Sequence, residues 1–239
     1  MILSIAEQRR RKVKLLIDDA DIKEIKRLYE YYPIDGVTTN PTILSKTGRE
    51  PYVVLHEIRD FIGKDGDLHV QVVAADAEGI VRDAVRIVSE LGKETYIKIP
   101  AVKEGFKAMK VLKAEGFRLT GTAVYTPLQA YISAKCGCDY IAPYVNRIDN
   151  LGYDGVETVK KIENILENNG YETGILAASF RNSMQVLSLC EYGITAATCA
   201  PTVIDAFVRS SELDAAVSAF TRDFELLAGS GTTMSNLES

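Results

Sequence analysis

Eight short β-rich apolar runs, each followed by a stretch of helical periodicity, divide most of this chain into repeats. The runs are Lys14–Asp18, Gly36–Asn40, Leu68–Ala74, Thr95–Pro100, Leu119–Val124, Tyr140–Val145, Thr173–Ser179 and Ala196–Cys199. They have the length of strands, and most are rich in β-branched and aromatic residues. The intervening segments carry helix signals. Phe106, Met109 and Leu112 share one face, and Gly116 stops that helix. Thr126-Pro127-Leu128-Gln129 reads as a capping box with proline at the first helical position. Val156, Val159, Ile162 and Leu166 form another stripe, closed by Asn168, Asn169 and Gly170. Strand–helix repeats without a composition break predict an α/β chain, a single (β/α)8 TIM barrel. The chain has 239 residues, close to the roughly 250 typical of such barrels. A doubly wound open sheet is the alternative, but neither a G-x-G-x-x-G loop nor a Walker pattern supports it.

One helical pattern is left over. In Asp214–Leu227, the residues Val217, Phe220, Phe224 and Leu227 line one face, with no ninth strand to cover. It either folds back over its own barrel or buries that stripe on a neighbouring subunit. The predicted organisation is an N-terminal extension over 1–13, a barrel with its C-terminal helix over 14–228, and a flexible Gly/Ser/Thr-rich tail over 229–239.

Composition narrows the function classes. A net charge of -5 argues against a nucleic-acid partner, whose footprint is basic. No run of about 18 apolar residues predicts a membrane span. The basic start, with Arg9, Arg10, Arg11 and Lys12, is followed by no apolar core of signal-peptide length. Cys136 and Cys138 are spaced C-x-C, which is not a zinc pattern, and Cys190 and Cys199 stand apart. All four read as reduced thiols of a cytoplasmic protein. His56 and His69, the two histidines, read as structural. No metal site and no organic cofactor is implied.

Active sites of barrels sit at the C-terminal ends of the strands. Those ends are polar here. Asp18 ends the first run, and Thr38-Thr39-Asn40-Pro41 the second. The third holds Gln71, the fourth Lys98, and the fifth Thr120 and Thr122. Tyr144 ends the sixth, before Asn146 and Arg147, and Ser179 the seventh, before Arg181. Lys98 is the sharpest of these signals. A barrel strand is covered on both faces, burial lowers a lysine pKa, and a neutral amine attacks carbonyl carbon. The structural alternatives are a snorkelling lysine, Asp18 as a helix cap and Asn40 as turn chemistry. A glutamine among valines, such as Gln71, has few partners besides other site residues. Arg147, Ser179 and Arg181 suit phosphate oxygens.

These residues carry a family likeness. Gly36-Val37-Thr38-Thr39-Asn40-Pro41, Tyr96-Ile97-Lys98-Ile99-Pro100, Ala142-Pro143-Tyr144-Val145-Asn146-Arg147-Ile148-Asp149 and Ala177-Ala178-Ser179-Phe180 resemble the motifs of the small transaldolase and fructose-6-phosphate aldolase family. The resemblance runs from about Lys14 to Leu227. It implies a class I lyase with Lys98 as the Schiff-base lysine. Gln71, Thr122 and Tyr144 would hold a catalytic water. Asp18, also counted with the catalytic residues, and Asn40 would meet the ketose hydroxyls, Thr39 is a further expected substrate-binding residue, and Arg147, Ser179 and Arg181 would take the phosphate. Transaldolases of the family carry glutamate and phenylalanine where this chain has Gln71 and Tyr144, so the likeness is to the aldolase branch. Arg181 stands where some of these aldolases carry lysine, which keeps the charge and changes the geometry.

The expected activity is reversible cleavage of fructose 6-phosphate to dihydroxyacetone and glyceraldehyde 3-phosphate. Its rivals are transaldolase activity on the same scaffold and a sugar-phosphate binding protein without turnover. The expected partners are small ketose and aldose phosphates. By the resemblance, the chain assembles with its own copies into a pentamer or decamer.

Overall fold

The computed structural model describes residues 12–237. Residues 1–11 of the predicted extension and 238–239 of the predicted tail lie outside the described residues. The described chain forms two compact units, one running to Ile204 and one from Asp205.

The first unit is a closed barrel of eight parallel strands in sequential order. The strands are β1 (Lys14–Asp18), β2 (Gly36–Thr38), β3 (Asp67–Gln71), β4 (Tyr96–Pro100), β5 (Arg118–Val124), β6 (Tyr140–Pro143), β7 (Gly174–Ala177) and β8 (Ala196–Cys199). Every predicted run overlaps one of them, and six contain theirs whole; β3 and β5 each begin one residue before their runs, at Asp67 and Arg118. β1 closes the ring by pairing with β8, Leu16 opposite Thr198. The helices are α1 (Ile22–Tyr31), α2 (Pro41–Lys46), α3 (Pro51–Ile62), α4 (Ala77–Leu91), α5 (Lys103–Ala114), α6 (Pro127–Lys135), α7 (Val145–Asp149), α8 (Gly155–Asn168), α9 (Ser183–Tyr192) and α10 (Pro201–Asp205). The barrel of the sequence analysis is the fold observed.

Local chemistry sets the boundaries. The predicted capping box at α6 is present, with the Thr126 hydroxyl and the Gln129 side chain each bonding the other's backbone. Asp21 caps α1 and Asp76 caps α4. Asp18 caps no helix, so its structural alternative falls away. Asn40 does cap α2, its side-chain oxygen accepting from the Ile43 N–H at 3.0 Å, as the turn alternative held.

Strand residues alternate between two cores. Ile17, Val37, Leu68, Val70, Ile97, Ile99, Leu119, Ile141 and Ile175 join helix residues such as Ile25, Leu28, Ile58, Ile80, Met109, Leu112 and Ile162 in one large buried cluster. The opposite parity points into the barrel, where Leu16, Tyr140, Leu176 and Ala196 form a small apolar plug against Tyr96. His69 lies at this depth. It is fully buried, its ring stacked 4.5 Å from that of Tyr96 and its Nδ1 2.9 Å from the Thr120 hydroxyl. Burial and the nearby cations hold it well below the ordinary histidine value, so it is neutral. His56 pairs with Glu90 at 3.2 Å, half-exposed. Neither histidine lines the cavity at the C-terminal strand ends.

β5 breaks the alternation. Thr120 and Thr122 face inward, and Gly121 faces α6, where an added Cβ would lie 2.8 Å from Ser133. The register then shifts between Gly121 and Val124, and Ala123 takes a φ of 54°. Val124 is buried in the outer cluster. Ala123 is therefore the extra residue of a bulge, and Tyr125 takes up the inward parity.

In the second unit, α11 (Ser211–Ala228) is N-capped by Ser210. It starts three residues before the predicted helix because that serine and the acidic residues Glu212 and Asp214 stabilise its first turn. No residue of α11 is buried, and Phe220 and Leu227 are 70% and 83% exposed.

Candidate active site

The polar strand ends converge on a cavity of about 290 Å³ lined by Asp18, Asn40, Gln71, Lys98, Tyr144, Arg147 and Ser179, among others. A wider depression of about 730 Å³ adjoins it and shares Asp18, Asn40, Thr42 and Arg147.

Lys98 is 3% exposed. Register places it beside Gln71 on β3 and Thr120 on β5. Its Nζ donates to the Thr39 carbonyl oxygen at 2.9 Å. Burial pushes the amine below the ordinary lysine value, and the Asp18 carboxylate works against that shift. The snorkelling alternative fails: the amine does not reach solvent.

Asp18 accepts from the Thr38 hydroxyl at 2.6 Å, and Thr38 is itself 2.8 Å from the Thr198 hydroxyl. Both threonines are buried. Burial raises the Asp18 pKa, while the Lys98 charge and the Thr38 bond lower it. The carboxylate and the amine thus share an enclosed site in which each favours the other's charged form. Thr198 was not among the predicted site residues. A threonine in a short run of small residues gives little sign of a role until the barrel closes β8 onto β1.

The Thr122 and Tyr144 hydroxyls lie 3.1 Å apart. Burial raises the Tyr144 pKa, so its phenol keeps its proton at neutral pH. Gln71 lines the same cavity as Tyr144, and its buried Oε1 has no partner among the described residues. An orphaned acceptor and two hydroxyls have the chemistry to bind a water.

At the other end, Arg147 of α7 lies over the Tyr144 ring at 4.8 Å and donates to the Tyr125 hydroxyl at 3.4 Å. Ser179, with a φ of 59°, shares the cavity wall. Strain in a non-glycine residue of this kind clusters at functional sites. Ala123, the second such residue, also lines the cavity.

Two predicted residues are placed differently from the rest. Thr39 is fully buried and turns its hydroxyl to the His69 carbonyl, so it contributes its own carbonyl to Lys98 rather than a hydroxyl to the cavity. Arg181 is exposed and does not line the cavity. Its backbone N–H is held by Gln185, whose amide donates to Asp149 on the helix that carries Arg147.

Residues 15–236 match the model of the family described as Transaldolase/Fructose-6-phosphate aldolase. The chain belongs to this family. A "Probable transaldolase" of Hydrogenobaculum sp. (strain Y04AAS1) is 38% identical over 213 residues, covering 89% of this chain and 97% of the relative. A "Probable transaldolase" of Geotalea uraniireducens (strain Rf4) is likewise 38% identical, over 89% of this chain and 98% of the relative. A "Probable fructose-6-phosphate aldolase" of Streptococcus pneumoniae (strain ATCC 700669 / Spain 23F-1) is 34% identical over 219 residues, 91% of this chain and 99% of the relative. Membership in the transaldolase/fructose-6-phosphate aldolase family makes the chain an enzyme of aldol chemistry. Among its described residues no helix is long and apolar enough to cross a membrane.

Proposed function

We propose that this family member is a Schiff-base aldolase that reversibly cleaves fructose 6-phosphate to dihydroxyacetone and glyceraldehyde 3-phosphate. The observation that carries the proposal is the buried Lys98 amine, desolvated and within the field of Asp18. The free amine attacks the C2 ketone, and loss of water gives an iminium. A water held by Gln71, Thr122 and Tyr144 takes the C4 hydroxyl proton as general base. The C3–C4 bond then breaks, its electron pair passing to the iminium nitrogen. Glyceraldehyde 3-phosphate leaves, and the enamine of dihydroxyacetone remains on Lys98. Protonation at C3 and hydrolysis of the iminium release the donor. The iminium is the electron sink, so the sequence of steps calls on no metal. Asp18 and Asn40 take the ketose hydroxyls, and Arg147 and Ser179, which line the cavity with them, the phosphate.

A second reading, transfer of the dihydroxyacetone unit to an aldehyde, is favoured by the names of most of the relatives. Tyr144 and Gln71 favour the aldolase, because a phenol and an amide can hold the water that finishes the cycle. Incubation with fructose 6-phosphate in the absence of any aldehyde acceptor tests the choice. Steady release of free dihydroxyacetone supports the aldolase. Release of glyceraldehyde 3-phosphate that stops after one equivalent per site with no free dihydroxyacetone, and resumes with formation of a new ketose when an aldehyde is added, supports the transaldolase.

We further propose a cytoplasmic homo-oligomer. The free thiols suit a reducing compartment, and the exposed apolar residues of α11 suit a neighbouring copy.

A further inference from the structure

We propose that Tyr125 is a positioning residue for the phosphate end of the site: its hydroxyl holds the Arg147 guanidinium across the Tyr144 ring, and so selects phosphorylated over unphosphorylated aldehydes. The inference rests on the phosphate-clamp reading above and deepens it.

Three observations converge. The bulge at Ala123 turns Tyr125, rather than Val124, toward the mouth of the barrel. A non-glycine residue at positive φ is strained, so the displaced parity is held against a local cost. The second observation is the three-way contact. The Tyr125 ring meets the Tyr144 ring edge-on at 5.8 Å, and Arg147 lies over the Tyr144 ring at 4.8 Å and donates to the Tyr125 oxygen at 3.4 Å. Third, the Tyr125 backbone is anchored independently of the site, its N–H donating to Gln129 of the α6 capping box at 3.0 Å.

Arg147 forms no ion pair among the described residues, whereas Arg27, Arg49 and Arg86 each pair with a glutamate. A phenol oxygen and a π-face fix the direction of a guanidinium without neutralising it. The fork therefore keeps its full charge for an incoming dianion. Because the Tyr125 oxygen accepts from Arg147, its own proton is free to turn to a phosphate oxygen.

The test pairs two readouts on wild type and Tyr125→Phe. The first is the ratio of kcat/KM for glyceraldehyde 3-phosphate to that for glyceraldehyde, each with dihydroxyacetone as donor. The second is the affinity for inorganic phosphate by calorimetry. Loss of one hydrogen bond to a charged group predicts that both fall about tenfold. Tyr125→Ala, which also removes the ring, should lower both further. Thermal melting confirms that the variants fold. A ratio and a phosphate affinity equal to wild type in folded Tyr125→Phe would overturn the proposal. If the wild type forms no adduct on Lys98 yet Tyr125→Phe weakens phosphate binding, the clamp stands and the aldol mechanism falls. If the adduct forms and phosphate binding is unmoved, only the role of Tyr125 falls.

Discussion

The Lys98 Nζ lies 2.9 Å from the carbonyl oxygen of Thr39, the residue after the threonine that holds Asp18. A neutral amine satisfies that carbonyl with one N–H and keeps its lone pair for a carbonyl carbon. An ammonium in the same place has one fixed acceptor for three donors, which burial makes costly. Adduct formation should therefore rise with pH along a limb whose midpoint falls below the ordinary lysine value of 10.5. The rate of adduct formation with dihydroxyacetone, followed against pH, checks this. A midpoint at or above that value contradicts it.

Asp18 sets where that limb lies. Its negative charge favours the protonated lysine, so removing the charge favours the free amine. Asp18→Asn should move the limb to lower pH. It should also lower kcat/KM about tenfold to a hundredfold, through the lost charge-assisted contact to the ketose. A limb that stays in place would show that the two groups do not feel each other.

Tyr144→Phe removes the hydroxyl that meets Thr122 and leaves the ring on which Arg147 lies. The expected outcome is a shift from hydrolysis toward transfer of about tenfold in the product ratio, with phosphate affinity retained. Product analysis with fructose 6-phosphate and an added aldehyde reads the ratio directly.

Gly105 opens the first turn of α5 against the end of β4. A Cβ there would sit 2.0 Å from the Pro100 carbonyl oxygen, two residues beyond Lys98. Gly105→Ala should destabilise the barrel by about 1–3 kcal/mol, the range for overpacking, and lower Tm by several degrees. Activity should fall with stability, because the displaced strand end is the one that aims Lys98. Thermal melting beside a kinetic assay measures both.

Much of this was legible in the chain. Lys14–Asp18 and Ala196–Cys199 are strands over the ranges that the apolar runs predict. Elsewhere the strands end within a few residues of the runs, because apolar character continues past the last ladder bond. Lys98, Gln71, Tyr144 and Asp18 could be picked out because each is polar at a strand end. Tyr125 could not. Strict alternation from Thr122 puts Val124 inward, and nothing in Thr122-Ala123-Val124-Tyr125 announces an alanine at positive φ. Thr39 misled for a related reason: at a strand end, a residue's backbone and its side chain can serve different partners, and only coordinates say which. Arg181 has the right charge at the right strand end, but its side chain is not on the wall of the cavity. The apolar stripe of α11 was evident in the periodicity of Val217, Phe220, Phe224 and Leu227, but its exposure was not.

The most direct test of the account is borohydride reduction of the protein with dihydroxyacetone or fructose 6-phosphate, followed by peptide mass spectrometry. The account predicts a reduced three-carbon adduct from dihydroxyacetone on the peptide that carries Lys98, absent from Lys98→Met. Folded protein with no adduct from either compound, or with the adduct on another lysine, would contradict it.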